Sequence, residues 1–164
     1  MLTRRHLLWA GSSGLALLAL AEGMFSSRAR AGDDFPIHHT AKEWRSMLTP
    51  EQYAVLREEA TERPFSSPLN SEHRAGEFSC AGCDQPLFDS GTKFDSGTGW
   101  PSFWAPKDNA VATTTDYKIG LARTEVHCSK CGGHLGHVFN DGPAPTGLRY
   151  CMNGTALTFT PKTT

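Results

Sequence analysis

The chain has 164 residues, room for one domain, and its 16 Lys+Arg against 17 Asp+Glu give a formal net charge of −1. That balance excludes the basic excess expected of a nucleic-acid binder. Hydrophobic residues at 38% and charged residues at 20% suit a soluble globular protein with a modest core, and 16 Gly with 10 Pro favour turns over long helices. Five cysteines is an odd number: if four pair or bind a metal, one is left over.

In chain order, residues 1–31 read as an export leader. Thr3-Arg4-Arg5-His6 is a basic start, Leu7 to Ala21 is apolar, and Ala29-Arg30-Ala31 is a small-residue cleavage signal. The adjacent arginines resemble a twin-arginine leader, which exports folded proteins. The apolar stretch of about 15 residues falls short of the ~20 needed to span a bilayer. The expectation is cleavage after Ala31 with no stable membrane insertion; an uncleaved anchor is the alternative. The leader holds Arg4, Arg5, Arg28, Arg30 and Glu22, so the mature chain 32–164 would have 133 residues, 12 basic and 16 acidic, a net −4. It would work outside the cytoplasm, in a bacterial periplasm, where thiols tend to oxidise.

Gly32 to Thr40 is polar. Ala41 to Leu48 predicts a short amphipathic helix with Trp44 and Leu48 on one face. Thr49-Pro50-Glu51-Gln52 starts a second helix, with Thr as N-cap, Pro at the first helical position and Gln completing a capping box. It is expected to run to about Glu62, with Tyr53 and Leu56 inward. Arg63 to Arg74 reads as a loop. From Glu77 the pattern is β-like: Phe78 and Cys80, then Leu87 and Phe88, flank a turn at Ala81–Pro86. Lys93 to Trp104, with Gly97, Gly99 and Pro101, reads as ordered turn. Val111–Tyr117, Leu121–His127, Gly147–Asn153 and Ala156–Thr160 read as short strands. The fold class expected is mainly β: helices first, then a mostly antiparallel sheet, in one domain.

Cys80-Ala81-Gly82-Cys83 and Cys128-Ser129-Lys130-Cys131 are two C-x-x-C pairs separated by 44 residues. Two such turns can close a tetrahedron of thiolates, which suits a structural Zn2+ and leaves no open position for catalysis. Two disulfides, or a redox-active C-x-x-C, are the alternatives; no βαβ pattern surrounds either pair. Cys151 is left over, in Arg149-Tyr150-Cys151-Met152-Asn153. On a strand, Arg149, Cys151 and Asn153 share a face, and a nearby Arg favours the reactive thiolate. A buried structural cysteine is the plainer reading. His134-Leu135-Gly136-His137 could ligate metal or sit hydrogen-bonded in the core, and Asp141 could orient a histidine or receive Arg149. Trp100, Phe103 and Trp104 form either a core cluster or the aromatic wall of a shallow pocket.

Together these motifs resemble the methionine-R-sulfoxide reductase B family over about Thr40 to Thr160. The residues that carry the resemblance are Lys42-Glu43-Trp44, the two C-x-x-C pairs, Ser96-Gly97-Thr98-Gly99-Trp100-Pro101-Ser102-Phe103, His134-Leu135-Gly136-His137-Val138-Phe139 and Arg149-Tyr150-Cys151-Met152-Asn153. The resemblance implies two bent antiparallel sheets (a β-tent) with N-terminal helices alongside, and a structural zinc on Cys80, Cys83, Cys128 and Cys131. It implies reduction of the R epimer of methionine sulfoxide, in proteins or free, by Cys151, with His137, His134 and Asn153 lining the site. His137 would be the proton donor, Trp100 and Phe103 would meet the substrate, and Arg149 and Asp141 would support it. Many members carry a cysteine where this chain has Thr98. The sulfenic acid left on Cys151 would therefore be resolved by an external, thioredoxin-like thiol. A monomer is the default expectation. A zinc-stabilised binding module without catalysis would explain the four cysteines but not the Cys151 face.

Overall fold

The computed structural model describes residues 35–163. The expected leader, 1–31, lies outside them. Helix α1 (Ala41–Met47) and helix α2 (Pro50–Glu58) each open on a capping box, Thr40 with Glu43 and Thr49 with Gln52, and Pro50 occupies the first turn of α2. Helix α2 stops at Glu58 rather than near Glu62, because Glu59 turns into the left-handed region at φ 56°. The residues released from the helix become a strap whose Glu62 is used elsewhere. Trp44, Leu48, Val55 and Leu56 are buried and Tyr53 is half-buried, so the apolar faces read from the sequence do face inward.

Two antiparallel sheets follow, and the protein is mainly β. One has three strands: β1 (Gly76–Cys80) lies between β2 (Pro86–Asp89) and β9 (Leu157–Pro161). The other has six, in the order β3 (Lys93–Phe94), β4 (Ser102–Phe103), β8 (Arg149–Met152), β7 (His134–Phe139), β6 (Arg123–Cys128) and β5 (Val111–Asp116). Lys93 to Trp104, expected as turn alone, thus supplies two short strands. Strand β7 was not expected at all, since Gly136 and two histidines break any apolar alternation. The glycine is required: a Cβ at Gly136 would stand 2.1 Å from the Cys151 carbonyl oxygen. Among the described residues no helix is long and apolar enough to cross a membrane.

The sheets meet through aromatic side chains. The Phe103 ring stacks on Phe88 at 4.3 Å and meets Phe78 edge-on at 5.0 Å, and all three are fully buried. Each such ring contributes about 1.5–3 kcal/mol on burial. Phe103 is therefore a core residue, which corrects its expected place in a substrate wall. Strand alternation is the reason: neighbouring Ser102 is paired with Cys151, so Phe103 turns to the opposite side.

Candidate active site

Cys151 on β8 is opposed on one side by Ser102 of β4 and on the other by His137 of β7. His137 is opposed by Glu125 of β6, and Glu125 by Thr114 of β5. Directly opposed residues of antiparallel strands project to one face. Ser102, Cys151, His137, Glu125 and Thr114 therefore form one row across five strands.

By simple alternation His134 would face away from His137, three residues on. A β-bulge prevents this: Val126 opposes Gly136 while the next residue, His127, opposes His134, which leaves Leu135 extra on β7. The two imidazoles meet edge-on at 5.5 Å. Each has its own carboxylate: His134 Nδ1 lies 2.8 Å from Glu125 Oε1, and His137 Nε2 lies 2.8 Å from Asp116 Oδ2. The Nε2 of His134 is buried and has no hydrogen-bond partner. Asp116 also accepts the Lys118 backbone N–H at 2.7 Å and the Arg123 guanidinium. The Lys118 N–H and the His137 bond hold the Asp116 carboxyl well below the usual carboxylate range. At Glu125 burial works upward, but the bonds and charge of His134 prevail and the net shift is down. Burial pushes His137 below its ordinary value against the pull of Asp116.

Cys151 is half-buried, with Thr98 Oγ1 3.8 Å from its sulfur. Ser96 links that hydroxyl, at 2.8 Å, to Ser102, at 2.7 Å. Burial pushes the thiol up, opposed by Thr98, Arg149 and Ser102. Arg149 grips Asp141 through Nε at 2.8 Å and Nη2 at 2.9 Å, and lies 4.4 Å over the Phe139 ring. Of the two roles considered for Asp141, the structure gives it Arg149; the histidines are held by Asp116 and Glu125. Asn153 is buried, with its amide committed to main chain: Oδ1 accepts the Glu62 N–H at 3.0 Å and Nδ2 donates to the Leu135 carbonyl at 3.1 Å. It fixes the end of β8 against β7 and the strap. Trp100 donates its indole N–H to the Glu62 carbonyl at 3.1 Å. The Glu62 carboxylate accepts Gly154 N–H, Thr155 N–H and the Thr155 hydroxyl at 2.7, 2.8 and 2.6 Å. Asp116, Glu125 and Glu62 carry no local signal in the sequence; each meets its partners only through the tertiary fold.

The four C-x-x-C sulfurs lie within 4.8 Å of one another and could hold a metal ion. Cys80 closes β1 and Cys83 lies in the turn after it; Cys128 closes β6 and Cys131 lies in the turn before β7. One turn comes from each sheet. Two sulfur pairs, Cys80–Cys131 at 3.7 Å and Cys83–Cys128 at 3.5 Å, join different turns. The Cys80 thiol is pushed up by its three sulfur neighbours and by burial. Arg57 of α2 donates to the Cys131 carbonyl at 2.8 Å and braces this corner.

A family model described as the SelR domain matches residues 48–161. A peptide methionine sulfoxide reductase MsrB of Pseudomonas putida is 60% identical over 127 residues, covering 77% of this chain and 96% of that protein. A protein of the same name from Agrobacterium fabrum is 54% identical over 126 residues, covering 76% and 93%. One from Bradyrhizobium diazoefficiens is 54% identical over 140 residues, covering 85% and 100%.

Proposed function

The chain belongs to the SelR-domain family of MsrB methionine sulfoxide reductases, and on that premise we propose that it reduces the R epimer of methionine sulfoxide in oxidised proteins through Cys151. The observation that carries the proposal is His137 standing directly across from the leftover thiol, with hydroxyls of Thr98 and Ser102 on its other side. The Cys151 thiolate attacks the sulfoxide sulfur. The imidazolium of His137 gives its proton to the oxygen, which makes the sulfur electrophilic. The oxygen then passes from the substrate sulfur to Cys151 Sγ as the substrate S–O bond and the S–S bond formed in the attack both break, so that methionine leaves and Cys151 is left as a sulfenic acid. Two external thiols then return Cys151 to its thiol, yielding one disulfide and one water. His134, bonded to Glu125, packs edge-on against the His137 ring and supports it from within the sheet. Trp100 takes the S-methyl group, whose partial positive charge suits an indole face.

The four-cysteine site fits zinc. Tetrahedral Zn–S bonds of about 2.3 Å place sulfurs about 3.8 Å apart, close to the spacings between the two turns. Cys80, Cys83, Cys128 and Cys131 would hold the ion, which would supply cross-linking and no chemistry. The reductant is a thioredoxin-like or other external thiol, since Thr98 occupies the place of a resolving cysteine. The basic start and small-residue end of residues 1–31 support export to the periplasm, where the protein would act as a monomer.

An epimer-resolved sulfoxide assay on the full chain, with Cys151→Ser beside it, tests this reading. The expected result is loss of the R epimer alone, abolished in the variant while the fold survives. Activity on the S epimer alone would overturn it.

A further inference from the structure

Five large apolar side chains stand out as exposed among the described residues. Four of them, Phe65, Tyr117, Ile119 and Leu121, at 62–69% exposure, fall on two segments, each linked through neighbouring residues to the site; the fifth is Met47 of α1. Phe65 lies on the strap after α2. Its N–H donates to the Gly99 carbonyl at 2.7 Å, and its ring lies so close over Gly99 that a Cβ there would meet it at 2.8 Å. Gly99 sits between Thr98, beside the thiol, and Trp100, whose indole N–H is bonded to Glu62 on the same strap. The other three residues lie on the β5–β6 tip, which continues from Asp116, the partner of His137. The Lys118 ammonium of that tip pairs with Glu59 at the start of the strap, at 2.5 Å. The segments are thus tied to each other, and each is tied to a residue of the site.

Core packing explains none of this exposure. Phe65 is moreover held at φ 63°, a left-handed conformation rare for a bulky side chain and seen mainly where structure over-determines it. Exposed apolar surface gathered at a reactive group marks a binding surface. The occupant that must visit this place is the one that brings a sulfoxide to Cys151. Free methionine sulfoxide is too small to cover both segments, and a second copy of the chain seated there would cover the thiol. We infer that strap and tip form an apolar collar that takes the residues flanking an oxidised methionine, so that the enzyme favours polypeptides whose sulfoxide has large apolar neighbours. The inference rests on the reductase reading above.

Two synthetic peptides test it, alike except that leucines flank the methionine-R-sulfoxide in one and serines in the other. The full chain is expected to show a kcat/KM at least about tenfold higher for the leucine peptide, the lower end of what burying such side chains delivers. In Phe65→Ser and in Ile119→Ser/Leu121→Ser, each checked for folding by circular dichroism, that ratio should fall toward one through KM. A flat ratio in the unaltered chain, or a ratio that both variants leave intact, would overturn the collar while leaving the reductase standing. No activity on either peptide would instead overturn the reductase reading. Sedimentation showing a dimer that these substitutions dissolve, with no flank preference, would assign the surface to a second copy and overturn the inference.

Discussion

His137 and Cys151 stand directly across from each other on β7 and β8, and His137 is held from its far side by Asp116. The proton donor and the nucleophile of the proposed reaction are therefore placed by sheet register. Register is a rigid device, since a slip of one residue would send one of the two side chains to the other face and part them.

Asp116→Asn keeps the shape and removes the charge. Burial already holds His137 below its ordinary value, and losing the carboxylate lowers it further. Cys151 lies on the other side, pushed up by burial. The reaction needs thiolate and imidazolium together, so between the two pKa values the active fraction is flat and set by their separation. The variant should lower this plateau about tenfold for each unit His137 falls, and move the acid limb to lower pH. A pH profile of kcat/KM checks this, and an unchanged plateau would show that Asp116 does not hold the proton on His137. Stability gives a second readout. The depressed Asp116 carboxyl stabilises the fold above the ordinary carboxylate range and ceases to do so as pH falls through its folded value, a loss the variant should not show.

Thr98 Oγ1 lies 3.8 Å from the Cys151 sulfur. A cysteine at 98 would place a second sulfur within reach of a sulfenic acid on Cys151. Thr98→Cys should therefore form an internal disulfide, with release of water, after one turnover without reductant. Intact-mass measurement under non-reducing conditions reads this directly: the natural chain should gain one oxygen and the variant should lose two hydrogens. A persistent sulfenic acid in the variant would show that the Thr98 loop cannot close on Cys151.

The sequence made this chemistry legible through residue types at short spacing. The C-x-x-C pairs and the lone Cys151 announce themselves within a few positions, the Trp44/Leu48 spacing locates α1, and the Thr49/Gln52 capping box locates α2. What stayed hidden depends on register. His134 and His137 share a face only because the bulge at Leu135 adds a residue, and a bulge has no sequence signature here. Asp116 and Glu125 come to their histidines from 21 and 9 residues away across strand pairings, and Glu62 reaches Asn153 over 91. Phe103 shows the reverse error: an aromatic beside Trp100 suggests a wall, yet one step of alternation buries it.

The four-cysteine site joins the turn after β1 to the turn before β7, one from each sheet. In a domain of this size, a metal ion there would contribute much of the folding free energy. The expected content is one zinc per chain by elemental analysis. Cys128→Ser should lower the melting temperature by about 10 °C or more, given about 2–4 °C per kcal/mol for larger domains and twice that for smaller ones. Loss of activity should follow unfolding rather than precede it. A variant of unchanged melting temperature would remove the structural role of the site.

Glu62 offers the sharpest separation of positioning from packing. Its carboxylate accepts two backbone N–H groups and the Thr155 hydroxyl in the turn after Cys151, while its own N–H and carbonyl hold Asn153 and Trp100. Glu62→Gln keeps the length but turns a charged acceptor into a neutral amide whose NH2 faces donors. Bonds to a charged group are worth about 1.5–3 kcal/mol, so the melting temperature should fall by about 5–10 °C. If the residue served the fold alone, activity below that temperature would be untouched. Because the strap also carries the hydrogen bond that sets Trp100, KM for a sulfoxide peptide should rise several-fold with a smaller change in kcat, and tryptophan fluorescence should shift. Pairing the variant with Thr155→Val completes a double-mutant cycle, whose coupling should exceed about 0.5 kcal/mol if the hydroxyl bond is the anchor. A lowered melting temperature with KM and fluorescence unmoved would reduce Glu62 to a fold staple and leave Trp100 positioned by its loop alone.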